Sequence, residues 1–399
     1  MAYPETLTTD ALVDEALEIN GELNRALRYV QINSFYNGST GTIMRNLHRE
    51  LTRRGVDSYI FWGRRHDTIS EHEQCCATRT GVYVHGIMTR LFGRIGFYSR
   101  SDTKKLLKRL DEIRPDIVHL HNIHGYYINV ELLFGWLAVH EDVQVKWTLH
   151  DCWAFTGHCA HFSYSGCNRW RTGTCDESCP ELASYPKTHA KESCSWNYAH
   201  KKAVFTQLPP ERMTLVTPSQ WLQGLVSDSY LSMYPVDVRH NTIDRNIFKP
   251  TQSSFREQYG VGDRFMILGV ASPWSERKGL DDFIRLATIL DKTKYVIVIV
   301  GLRKKQIRKM PMTVIGLGRT KTARELAEIY TAADVLFNPT KEDNFPTVNL
   351  EAEACGTPVI TYDTGGCKET LRLKDSLLIK QGNLSEVIRI LQLKRSQNA

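Results

Sequence analysis

The sequence has no apolar run that approaches the roughly 18 residues a bilayer-crossing helix needs. Its opening stretch, MAYPETLTTD, carries neither a basic segment nor an apolar one. A secretory leader and a membrane anchor are therefore not expected, and the cytoplasm is the expected compartment. Low-complexity tracts are missing, and no repeat of about 20–50 residues is visible, which excludes solenoid and fibrous architectures. The loop NGSTG after the first expected strand lacks the G-x-G-x-x-G spacing of a dinucleotide fingerprint. No basic stripe with interleaved aromatics lies near the cysteines, so a zinc-stabilised nucleic-acid module, suggested by the net charge of +7, lacks its electrostatic footprint.

What is present fits a globular enzyme. The 399 residues exceed one ordinary core and suggest two domains. Hydrophobic residues make up 42% and charged residues 24%, values that support folded cores. The positive balance suits an anionic ligand or an acidic lipid face as well as an ordinary basic surface.

Periodicity gives a repeated strand–loop–helix rhythm, the signature of parallel sheets covered by helices. An amphipathic helix is expected over 10–27, with Asp10 as its cap. Then LRYVQIN, VDSYIFWG, DIVHLH, VQVKWTLHD and MTLVTPS read as strands, with helices between them. A Cys- and Gly-rich insertion occupies 152–186. The stretch VDVRHNTIDRNIFKP reads as a linker, after which RFMILGVAS opens a second series that includes KYVIVIVG, MTVIGLG, DVLFNPT and TPVITY. The expected division is a helical arm over 1–26, a first α/β domain over 27–241 and a second over 242–399. Ligands in such sheets sit beyond the carboxyl ends of the strands.

Three stretches carry chemistry. Gly38, Ser39, Thr40 and Gly41 stand between a strand and a helix, where free amides suit an anion; a plain tight turn explains them equally. Arg277 and Lys278 follow a strand and precede a helix, where two cations can neutralise a diphosphate. In KEDNFPTVNLEAEACGTPVITYDTGG, Asp343 and Glu351 flank the start of a helix opening at Thr347. Glu351 can take two ribose hydroxyls, and the amides around Thr347 and Val348 can face a phosphate. Asp343 can hold a sugar hydroxyl. Without those neighbours the acids would read as a helix cap and a surface charge. His121 and Asn122 follow one strand, and His150 and Asp151 another. His119, on the opposite face, is expected to make a structural hydrogen bond to backbone.

These elements and motifs, INSFYNGSTG, DIVHLH, TLHD, VTPSQWL, ERKG, EDNFPTVNLEAEACGTPVI and TGGCKE, resemble the retaining glycosyltransferases of family 4 over roughly residues 27–383. Within that family the chain looks most similar to bacterial enzymes of capsule, exopolysaccharide and colanic-acid assembly, which share a similar HDCWAFTGHC and Cys-rich insertion. The resemblance implies a GT-B fold: α/β, two facing Rossmann-like domains with parallel sheets and an interdomain cleft. It implies a nucleotide-diphosphate sugar as donor, held mainly by the second domain, and metal-independent transfer with front-face attack. Lys278 would bind the diphosphate and Glu351 the ribose, with Phe345, Pro346, Thr347 and Val348 around the donor. The family's first acid falls at Asp343, with Glu342 beside it and Asn344 in place of the usual glycine. The family's arginine falls at Ser272, leaving Arg277 as the substitute charge. His121 would lie near the transferred sugar. Asn122, His150, Asp151 and Glu369 would line the acceptor side. The implied acceptor is a glycan or polyprenyl-linked sugar, reached in peripheral contact with the inner membrane face, with no nucleic-acid partner. A sugar-nucleotide epimerase of GT-B shape is the alternative enzyme class.

Cys159, Cys167, Cys175 and Cys179 fall within a short stretch at spacings of seven, seven and three intervening residues. They read either as a structural zinc set shaping the loop or as free thiols, disulfides ranking third in a reducing compartment. Cys75, Cys76, Cys194, Cys355 and Cys367 read as ordinary thiols.

Overall fold

A computed structural model describes residues 8–398 and divides into two compact units, one up to Asn241 and the other from Thr242 onward. The first unit holds a seven-stranded sheet of β1 (Arg28–Phe35), β2 (Asp57–Arg64), β3 (Glu73–Cys75), β4 (Ile117–Leu120), β5 (Gln144–Thr148), β6 (Met213–Thr217) and β7 (Val236–Val238). Its helices are α1 (Thr8–Glu22), α2 (Ser39–Arg53), α3 (Arg79–Phe92), α4 (Arg100–Ile113), α5 (Val130–Val139), α6 (Arg169–Thr172), α7 (Ser193–Phe205) and α8 (Gln220–Ser227). The strand order is β3-β2-β1-β4-β5-β6-β7, every neighbour parallel.

The second unit holds β8 (Phe265–Val270), β9 (Tyr295–Val300), β10 (Val314–Gly316), β11 (Val335–Asn338), β12 (Val359–Tyr362) and β13 (Leu377–Ile379). Its helices are α9 (Phe255–Gln258), α10 (Leu280–Ile289), α11 (Lys304–Ile307), α12 (Ala323–Ala332), α13 (Thr347–Ala354) and α14 (Leu384–Asn398). The order is β10-β9-β8-β11-β12-β13, again all parallel. Strand β9, YVIVIV, is buried at every position, as a strand covered on both faces must be.

Each sheet reverses its strand order at one point, between β1 and β4 in the first unit and between β8 and β11 in the second. Loops leaving the carboxyl ends there diverge to opposite faces and open a crevice. The register Ile32↔Leu120 leaves the end of β1, at Phe35, beyond the end of β4, and Leu268↔Leu336 brings the ends of β8 and β11 level.

Helix α1 ends at Glu22, earlier than the periodicity suggests, because Asn20 turns its side chain onto the chain that follows and accepts the Leu27 N–H at 2.7 Å. Asp10, the expected cap, lies inside the helix, and its side chain is outside the described residues. The helix packs Leu12, Val13 and Ala16 against Leu47 and Leu51 of α2. Lys146, buried on β5, is held by Glu15 at 2.5 Å, so the arm is part of the first unit's core. Strands β3, β7 and β13 have three residues each and escaped the periodicity; β10, equally short, was read because it lies within the longer apolar stretch MTVIGLG. Helix α3 was also missed: most of its apolar side chains face outward.

Candidate active site

At the reversal point of the second unit, the chain leaves β8 and enters a single turn of 3-10 helix, Glu276–Lys278. Gly279 follows with φ 73°; a Cβ there would stand 2.2 Å from the Pro339 carbonyl oxygen, so only glycine lets this turn lie against the loop after β11. The close approach brings Lys278 Nζ onto Asp343 Oδ2, although 65 residues separate them. Arg277 donates to the Glu342 carbonyl, and its own carbonyl accepts the Lys341 N–H at 2.7 Å. The two cations thus part ways: Lys278 reaches the acid, and Arg277 braces the loop backbone. Between the two adjacent acids, Glu342 is fully buried and Asp343 keeps a small exposed fraction, so Asp343 is the one presented beside Lys278.

Behind Asp343 stands the Gly365-Gly366 pair. The Gly366 N–H donates to the Asp343 carbonyl at 3.0 Å, and a Cβ on Gly365 would fall 1.9 Å from the same oxygen. Those glycines are explained by this contact. Glu369 sits three residues on, in a 3-10 turn, with its carbonyl accepting from Arg372.

Helix α13 opens at Thr347 behind Pro346, with no side-chain cap on its first amides. Phe345 is buried beneath the turn. Glu351 lies one turn into the helix and accepts from the Tyr330 hydroxyl at 2.9 Å. Burial raises its carboxyl above the ordinary range, while hydrogen bonds from Tyr330 and Thr347 partly offset the rise. A ladder from Asn338 to Asn349 (2.9 Å) to Thr370 (2.8 Å) fixes α13 against β11. Cation, acid, open helix N-terminus and half-buried glutamate are thus gathered at one reversal point, the grouping that a diphosphate joined to a ribose requires.

In the first unit, Gly38 caps α2 with φ 94° and is exposed, as is Ser39. Thr40 accepts from Asn33 Nδ2 at 3.3 Å. Gly41 is a packing residue: a Cβ there would meet the Tyr36 carbonyl oxygen at 2.3 Å. Asn33, which the sequence did not single out, ties this loop to β4 by accepting the Asn122 N–H at 3.3 Å.

His121 is buried between Gln31 Oε1 and His150 Nε2, each at 3.2 Å, and stacks on His119. Burial holds its ring well below the usual histidine value, so it stands neutral. Burial likewise lowers His150 to about 4, against the pull of Asp151. His119, two residues before His121, shares its face of the strand rather than the opposite one; it is satisfied by the Tyr29 hydroxyl at 2.8 Å and Thr148 at 2.7 Å, side chains rather than the expected backbone.

Asp151 pairs with a residue that the motif reading passed over. Its Oδ2 lies 3.0 Å from His124 Nε2, and His124 Nδ1 lies 3.0 Å from the Tyr185 hydroxyl. Burial alone would raise the Asp151 carboxyl, but the His124 ring and the Trp153 N–H outweigh it and hold it below the carboxylate range. His121, Asn122, His124, His150 and Asp151 line one small concavity. The second histidine of HNIHG, three residues after the first, was the signal available for His124.

The insertion gathers Cys159, Cys167, Cys175 and Cys179 around one cavity, and Cys194 of α7, which the sequence set apart from them, lines it too. The sulfurs satisfy one another: Cys179 hydrogen-bonds with Cys159 and Cys194, and the Gly157 N–H donates to Cys175 Sγ at 3.3 Å. Among the described residues no group of three or more His, Cys, Asp or Glu side chains is placed so as to hold a metal ion. All ten cysteines are free thiols.

Comparison with known proteins agrees with this geometry. Residues 40–176 match the model of Glycosyltransferase Family 4, and residues 252–394 that of Glycosyl transferases group 1. The chain is 23% identical to the putative colanic acid biosynthesis glycosyl transferase WcaC of Escherichia coli K12, across 91% of this chain and 88% of that one. It is 24% identical to D-inositol 3-phosphate glycosyltransferase of Mycobacteroides abscessus, across 79% and 68%. Among solved structures it resembles sucrose-phosphate synthase from Thermosynechococcus elongatus (TM-score 0.64, 15% identity, 92% and 89% covered). It also resembles Anabaena HepE in complex with UDP-glucose (TM-score 0.60, 14% identity, 93% and 90% covered). These structural likenesses are of fold, and the fold is GT-B.

Proposed function

We propose, given that this chain belongs to the family 4 glycosyltransferases, that its donor is a nucleoside-diphosphate sugar bound by the second unit. The acceptor is a hydroxyl of a glycan or lipid-linked oligosaccharide in surface-polysaccharide synthesis, and the anomeric configuration is retained. The observation that carries the donor reading is the placement of Lys278, Asp343, Glu351 and the open end of α13 on loops from one reversal point. The relatives support the two ends of the reaction: HepE is described with UDP-glucose, and WcaC with colanic acid.

Charge flow assigns the roles. As the bond from the anomeric carbon to the diphosphate oxygen breaks, negative charge grows on that oxygen and positive charge on the sugar. Lys278, exchanging Asp343 for phosphate, and the first amides of α13 stabilise the leaving group, the work a divalent ion does elsewhere. Glu351 accepts from the ribose hydroxyls. Asp343, freed from Lys278, holds a sugar hydroxyl. The acceptor oxygen forms the new bond on the same face, and its proton passes to the departing phosphate. In the first unit, neutral His121 offers a hydrogen bond without charge, and the His124–Asp151 pair orients the acceptor's hydroxyls.

The experiment is a thermal-shift panel of nucleotide sugars bearing uridine, guanosine, adenosine or thymidine, followed by detection of released nucleoside diphosphate. One base should stabilise the protein selectively. If no nucleotide sugar stabilises it and none is consumed, the reading falls.

A further inference from the structure

Helix α3 is built inside out for a surface helix. Its inward residues are mostly polar or small: His85 and Thr89 are buried, Gly86 passes the Tyr126 ring, and Val82 packs against the apolar core. The inward face is anchored by hydrogen bonds, from His85 Nδ1 to Ser99 Oγ at 2.7 Å and from the Gly96 N–H to His85 Nε2 at 3.3 Å. Thr78 caps the helix and donates to buried Asp102 at 3.0 Å. The outward face is apolar. Tyr83, Ile87 and Leu91, spaced four apart, are 71%, 41% and 55% exposed, and Val84 beside them is 50% exposed. Of fourteen large apolar side chains exposed among the described residues, five lie on this one helix, Phe92 being the fifth. An ordinary amphipathic helix buries that face, and a cluster this concentrated marks a contact surface.

Charge says what it contacts. From Arg79 to Arg100 the chain carries four arginines, Arg79, Arg90, Arg94 and Arg100, and no acidic residue. The acids that face them come from other elements: exposed Asp67 reaches Arg79 at 3.1 Å, and exposed Glu131 reaches Arg100 at 3.2 Å. Arg94 stacks on Trp196, and among the described residues no acid pairs with Arg90. A second copy of the chain docking here would set arginines against arginines. An anionic lipid surface instead takes the apolar side chains below its headgroups and the guanidinium groups at them.

We propose that the outward face of α3 seats the protein on an anionic lipid bilayer, with Tyr83, Val84, Ile87 and Leu91 inserted and Arg79 and Arg90 on the phosphates. This surface stands on its own observations and does not depend on the donor reading. No helix among the described residues is long and apolar enough to span a membrane, so the association is one of lying on the surface.

The test is co-sedimentation of the full chain with phosphatidylglycerol–phosphatidylethanolamine vesicles and with phosphatidylcholine vesicles. Binding is expected to the anionic vesicles and to weaken at high salt. Ile87→Glu/Leu91→Glu should lower partitioning at least tenfold, and Arg79→Gln/Arg90→Gln by roughly fivefold per arginine, from about 1 kcal/mol each. All these residues are exposed, and both variants should keep the parent melting temperature. Equal binding to neutral vesicles, or anionic binding unchanged in the apolar variant, overturns the proposal. So does a parent dimer that the apolar variant splits without any vesicle binding. Nucleotide stabilisation, measured alongside, separates the two readings: its absence from parent and variants alike overturns the donor assignment and leaves the lipid surface standing.

Discussion

Replacing Lys278 with alanine removes the group on which the donor assignment turns. In the free protein, Lys278 is paired with Asp343, and the side chains are 22% and 18% exposed. Breaking a partly exposed pair of this kind costs about 1 kcal/mol or less, so the variant should fold and melt within a few degrees of the parent. With ligand the loss is larger. A hydrogen bond to a charged group contributes about 1.5–3 kcal/mol, which corresponds to roughly 10- to 150-fold in affinity. Asp343, left without its lysine beside the phosphates, pushes the loss toward the upper end. At a nucleotide concentration 100 times the parent's dissociation constant, the parent gains about 2.7 kcal/mol of stability by mass action, and the variant should keep only about 0.3–1.4 kcal/mol. The assay is thermal or urea unfolding with and without the preferred nucleoside diphosphate, with turnover of the nucleotide sugar followed in parallel. A natively folded Lys278→Ala protein that binds the nucleotide as tightly as the parent would refute the electrostatic reasoning, because no other side chain was assigned to that charge.

Other consequences can be measured on the same material. Glu351→Gln should lose most of the nucleotide-induced stabilisation, while the free protein melts at or above the parent temperature at neutral pH. Burial raises the Glu351 carboxyl, so its ionisation weakens the fold as pH rises through its folded value, and glutamine escapes that cost; a free variant that melts well below the parent contradicts this. Gly279→Ala keeps every charge, yet its φ of 73° and the Cβ 2.2 Å from Pro339 should cost at least about 2 kcal/mol and weaken nucleotide binding; unchanged binding and melting would count against the loop geometry. All 14 histidines lie at or before His240, and burial holds His48 and His150 at about 4. The unfolded chain takes up those protons at about 6.5, the ordinary histidine value. The first unit should therefore lose stability as pH falls from about 6.5 toward 4, while the second is spared this loss. Hydrogen exchange resolved by peptide reads the two units separately; equal acid sensitivity in both would refute it.

Much of the architecture was legible because alternation of strand and helix is a local property. DVLFNPT and KYVIVIVG announce parallel strands from their own composition, and the acid–glycine grammar of KEDNFPTVNLEAEACGTPVI marks the loop that lies at the second unit's reversal point. The short strands β3, β7 and β13 and helix α3 were not legible, the former for want of length and the latter because most of its apolar pattern runs opposite to burial. The motif also named both Glu342 and Asp343, and nothing in one dimension separates them.

The linear chain by itself settled the parallel α/β class, the glycine positions and the residue types at the strand ends, since each follows from the steric and hydrophobic preferences of near neighbours. Only the tertiary structure chose Asp343 over Glu342, paired His124 with Asp151 and added Cys194 to the insertion's thiols. Those pairings join residues that are distant in sequence. Which of them meet depends on strand order and on the few ångströms that Gly279 and Gly365 leave open, and neither quantity exists until the sheets are assembled.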